Sequence, residues 1–142
     1  MRAIAALFLV VAAATAGAQA LPVVKLQAGM HLIQAEVAAD FASRAQGLMY
    51  RSAMPSNAGM LFIFDEASAQ CMWMKNTLIP LSVAFIDDRG SVINIEDMAP
   101  QTEDSHCARR PARYALEMNR GWFAARGIKP GSRIGGIPGT KD

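Results

Sequence analysis

The stretch "CMWMKNTLIPL", Cys71 to Leu81, sets a lysine, an amide and a hydroxyl into an otherwise apolar run. Lys75 is the chemically versatile member. It can lay its stem along apolar surface with the ammonium in water, or meet a carboxylate or other anion in a concave site. Arg51, at the end of "GLMYR", is a second cation that could converge on the same ligand, because a guanidinium grips carboxylates in bidentate fashion. Arg51 could equally form an ion pair with Glu117 or another carboxylate. Asn76 and Thr77 have the chemistry of a turn, their side chains bonding nearby backbone groups. Lys75, Asn76 and Arg51 are therefore the expected contacts of a small anionic ligand.

Two other chemistries are open to these residues. Cys71 and Cys107 are the only cysteines, and an even count in an oxidising compartment predicts a disulfide. That bridge would bring the polar loop "PQTEDSHC" to the start of the "MWMKNT" segment, with Asp104 and His106 near Lys75. A hydrolase using Lys75 with Asp104 or His106 is the enzyme alternative. Cys71, Met72, Met74, His106 and Cys107 are soft or borderline ligands, so a periplasmic copper carrier is the metal alternative. Against it, neighbouring strand residues face opposite ways, His106-Cys107 has no zinc spacing, and a bridge would occupy both thiols. With only His31 and His106, and no nucleophile elbow, phosphate loop or H-E-x-x-H, the recognised catalytic constellations are missing. The reading leans away from an enzyme, and no metal or cofactor is expected.

The elements that must position these residues are mostly strands. In the opening stretch, Met72 and Met74 fall on one face and Cys71, Trp73 and Lys75 on the other, and Pro80 must end the strand or lie at an edge. "HLIQAEVA" and "RYALEM" alternate, with Ile33, Ala35 and Val37 on one face, and Tyr114, Leu116 and Met118 opposing Ala115 and Glu117. "GMLFIF" is apolar on both faces and reads as a central strand. "LSVAFI", "DDRG" and "SVINIE" read as a hairpin. Asp40 can cap a helix through "FASRAQGLMY", and Asn119 one through "RGWFAARG", closed by Gly127. A short strand fits Ser132 to Ile134 in an otherwise irregular tail. The expected fold is mainly β, a compact single-domain sandwich or barrel with two short helices.

The first twenty residues, with Arg2, an apolar run from Ala3 to Ala14 and Ala18-Gln19-Ala20, read as a secretory signal. The apolar run is too short to span a membrane. Residues 21–142 then form one domain of an exported protein, periplasmic or secreted, expected to be monomeric and without a membrane anchor. The whole chain carries 14 basic and 12 acidic side chains, so its net charge is only +2. Residues 109–142 hold 8 of the basic and 2 of the acidic groups. A nucleic-acid partner is not expected, and an envelope partner is the alternative to a small ligand.

"QGLMYR", "GMLFIF", "MWMKNTLIPL", "AFIDDRG" and "LEMNRG", in that order, resemble the domain of unknown function 192 family. The likeness covers the chain from about Glu36 to Gly131. It implies a compact mainly-β domain of jelly-roll-like or barrel-like type, and no established activity. Members of that family usually carry an aspartate after the Pro-Leu pair, where this chain has Ser82. The cysteine pair is not part of the family pattern, so the predicted bridge is a local addition.

Overall fold

The computed structural model describes residues 20–142, so the leader expected at residues 1–20 lies, but for Ala20, outside the described residues. The elements run β1 (Val23–Ala28), β2 (His31–Ala38), α1 (Phe41–Gln46), β3 (Ala58–Ser68), β4 (Cys71–Met72), β5 (Leu81–Ile86), β6 (Val92–Met98), β7 (His106–Cys107), β8 (Ala112–Asn119), α2 (Trp122–Ala125) and β9 (Ile134–Gly135). Seven strands form one sheet in the order β6-β5-β8-β3-β2-β1-β9, and β4 pairs with β7 in a small second sheet. The mainly-β class and both short helices agree with the sequence pattern.

The sheet is curled. Its two edges meet at one end, where Ser91 bridges Arg133 and Val92 N–H donates to Ser132 O at 2.8 Å. A sheet rolled in this way hides part of its edges, which would otherwise present unpaired backbone groups. Period-two alternation then gives the central strands β3, β5 and β8 two apolar faces, whereas β1 alternates buried with exposed residues. Leu61, Ala84, Leu116 and Tyr114 point to an inner core with Leu26, Ile33, Trp122 and Phe123. Met60, Phe62, Val83 and Phe85 point to an outer core, which includes Leu48, Met74 and Ile79. "GMLFIF" is apolar throughout because β3 is covered on both sides.

Several local expectations need correction. The helix cap is Asp40, whose carboxylate accepts from Ser43 N–H at 2.7 Å, but α1 ends at Gln46 with Gly47 beyond it. Asn119 caps no helix. It is the last residue of β8, and its side chain donates to Met54 O at 2.9 Å. The residue preceding α2 is Gly121, in the left-handed region at φ 82°. The tail strand lies at Ile134–Gly135 rather than at Ser132–Ile134. In β2, Ala38 is buried whereas Val37 is only half-buried.

One connection was not legible in the pattern. β2 and β3 are parallel, with Val37 opposite Leu61, and the chain between them carries α1. A parallel pair requires a crossover, usually helical. Here that crossover lays α1 over the outer core beside β3.

Candidate functional site

Between α1, the outer face of β3 and the segment from Gln70 to Thr77 lies a cavity of about 460 Å³. Its walls include Phe41, Leu48, Met49, Phe62, Phe64, Met72 and Trp73, and its polar lining includes Arg44, Asp65, Glu66, Gln70, Lys75, Thr77 and Glu117. A cavity of this size, with an apolar wall and polar and charged groups beside it, has the proportions of a small-molecule site.

The opening stretch builds one wall. Ladder pairing ends at Met72, opposite His106, yet the alternation continues beyond it. Met74 is fully buried in the outer core and Met72 packs against it, while Cys71, Trp73 and Lys75 are exposed. The turn follows at once. Asn76 has φ 53°, a left-handed conformation that asparagine tolerates better than most residues. The buried Thr77 hydroxyl donates to Lys75 O at 3.2 Å. Two further bonds, Met74 N–H to Thr102 O and Gln101 N–H to Thr77 O, both 3.0 Å, tie this turn to the loop after β6.

Lys75 is aimed across Trp73, its Nζ 5.2 Å from the ring centroid, within cation–π reach. It forms no ion pair among the described residues. Arg44, from α1, is engaged with the fold: its guanidinium donates to Ala39 O at 2.6 Å and Ile63 O at 3.0 Å, and pairs with Asp65 at 3.4 Å.

The other expected site residues lie elsewhere. Arg51 forms a two-pronged ion pair with Glu36 on β2, which holds the guanidinium more firmly cationic. Its carboxylate partner is therefore Glu36 and not Glu117, and Arg51 is not among the cavity-lining residues. Asn76 is linked to that region by its carbonyl, which accepts from Tyr50 N–H at 2.9 Å, and it also stays outside the cavity lining. Asp104 is exposed and His106 half-buried in β7; neither lines the cavity. Cys71 and Cys107 are joined in a disulfide and face each other across the β4–β7 ladder. With both sulfurs bonded and Met74 in the core, the soft ligands do not converge. Ser82, at the position where the resemblance implies an aspartate, is buried away from the cavity. Its hydroxyl donates to Asp97 at 2.6 Å and accepts from Gly121 N–H at 3.0 Å.

The residue that sequence reasoning assigned to an ion pair is the unusual one. Glu117 sits on β8 between Met60 of β3 and Val83 of β5. It is 4% exposed, lines the cavity from the sheet side, and its carboxyl has no hydrogen-bond partner among the described residues. Burial alone pushes its pKa up to about 8, because desolvation disfavours the charged form. The signal available in the sequence was the strand alternation, which sets Glu117 on the same face as Ala115.

A family model, DUF192, described as Uncharacterized ACR, matches residues 23–136. No curated protein matches the chain. Two solved structures are similar throughout. One, from Sinorhizobium meliloti 1021, is described as a candidate transcription regulator; it is 38% identical with a TM-score of 0.79, and the match covers 84% of this chain and 98% of that one. The other, a protein of unknown function from Novosphingobium aromaticivorans DSM 12444, is 32% identical with a TM-score of 0.77, covering 88% and 97%.

Proposed function

The chain belongs to the DUF192 family, and from that premise we propose that it is a non-catalytic binding module for a small ligand with an apolar body and an anionic group. One observation carries this reading: a preformed, aromatic-walled cavity with the unpaired ammonium of Lys75 on its lining. The apolar body would lie against Phe62, Phe64 and Met72, and the anionic group would meet Lys75. Arg51 and Asn76 would act indirectly, holding the neighbouring turns, rather than as ligand contacts. We further propose that the protein is exported and monomeric; a disulfide between Cys71 and Cys107 suits an oxidising compartment. A groove-reading nucleic-acid binder is less well supported, since the two helices are six and four residues long and neither is a basic recognition helix.

The hydrolase alternative is not favoured by the arrangement, because Asp104 and His106 are absent from the cavity lining. The test is calorimetric titration with 3-phenylpropionate, which couples an apolar ring to a carboxylate. Binding that weakens at least tenfold in Lys75→Met supports the reading. Binding unaffected by that change, or no binding at all, overturns it. Cell fractionation with N-terminal sequencing tests export: a mature chain beginning at Leu21 is expected outside the cytoplasm.

A further inference from the structure

The cavity holds a carboxyl that the fold itself does not use. Among the described residues Glu117 has neither a cation that acts on it nor a backbone donor, and its strand neighbours Met60 and Val83 supply only apolar surface. Removing an acid from water without a partner costs free energy, and a hydrophobic residue of similar volume would fit the outer core without that cost. An unpartnered acid facing a cavity has a natural partner in whatever fills it.

We propose that the ligand carries an ammonium group received by Glu117 in addition to the anionic group received by Lys75, so that the preferred class is a small zwitterion with an apolar body. This deepens the binding reading above and rests on it. Three features favour an ammonium over a neutral hydrogen-bonding group. A positive charge compensates the carboxylate in a site of low dielectric, where the attraction is strong. Phe62 and Phe64 line the same wall, and aromatic rings attract cations. A carboxylate also has acceptor capacity for several N–H donors, which a neutral acceptor group on the ligand would leave empty.

Binding should be linked to proton release. The charged groups lining the cavity are Arg44 on α1, Asp65 and Glu66 on β3, and Lys75 on the turn; β5 contributes none beside Glu117. None of them contributes to the raised pKa of about 8, whose cause is burial. At pH 7 roughly nine-tenths of the Glu117 carboxyls therefore carry a proton, which an incoming ammonium displaces.

The experiment compares L-phenylalanine with 3-phenylpropionate, its analogue lacking the amine, by titration calorimetry at pH 7 in two buffers of different ionisation enthalpy. Expected for the native protein are at least tenfold tighter binding of phenylalanine and release of close to one proton per ligand. Glu117→Gln should abolish the release and bring phenylalanine down to the affinity of 3-phenylpropionate, which itself changes less than twofold. If 3-phenylpropionate binds through Lys75 and phenylalanine binds no tighter or releases no proton, the ammonium assignment is wrong and the anion reading stands. If neither probe binds, both are overturned.

Discussion

Replacing Glu117 with glutamine should remove a pH-dependent liability that the native protein carries. An acid whose folded pKa lies above its unfolded value costs stability as pH rises, because the unfolded chain ionises first. Below the unfolded value of 4.5 both states are protonated and the cost is absent; it then grows with pH and levels off above the folded value of about 8. With 1.36 kcal/mol per pKa unit, the cost is about 3 kcal/mol at pH 7 and about 5 kcal/mol at its plateau. Urea unfolding of the native protein and Glu117→Gln, at pH values from 5 to 9 with the disulfide intact, reads this directly. The native-minus-variant difference should fall by about 4 kcal/mol across that range. Other titrating groups affect both proteins alike. Asp40 and Asp88, whose pKa values are lowered by Ser43 hydrogen bonding and by Lys141 respectively, lose their contribution as pH falls, and this cancels in the difference. A glutamine left without a partner carries a penalty of its own, but that penalty does not vary with pH. Parallel stability curves would refute the placement of a desolvated, unpartnered carboxyl at this position.

Three further outcomes are expected. Changing Cys71 and Cys107 together to alanine releases a closure spanning 36 residues and should lower stability by about 4 kcal/mol on the chain-entropy estimate, measured by denaturant unfolding; an unchanged midpoint would argue that the unfolded chain is not constrained by the bridge. A double-mutant cycle with Arg51→Met and Glu36→Gln should give a coupling of about 1 kcal/mol, since the pair is bidentate but still partly solvated, and the coupling should shrink in high salt. Gly59→Ala should destabilise by about 3 kcal/mol or more, because a Cβ there would stand 2.5 Å from Glu117 O and closer still to the Met118 sulfur; thermal unfolding checks this.

The sequence by itself determined what depends on period and residue type. Alternation identified β2, β8 and the β5–β6 hairpin, and the apolar run "GMLFIF" marked a strand covered on both sides. Aspartate before "FASRAQ" marked the start of α1. The two faces of Cys71 to Lys75 followed from alternation even where ladder pairing stops. Cysteine count anticipated the bridge, and five motifs in order pointed to the family.

The tertiary structure alone decided which elements meet. No local pattern encodes the parallel pairing of β2 with β3 or the closure of Ser91 on Arg133, since both join segments whose separation in sequence carries no periodic signal. The same holds for charge. Arg51 could have met any of several carboxylates, and only the position of β2 beside the turn after α1 selects Glu36. Glu117 looks like an ordinary polar strand residue in "RYALEM". A carboxylate's chemistry is set by whether its neighbours are water or Met60 and Val83, and folding alone brings those two strands to its sides.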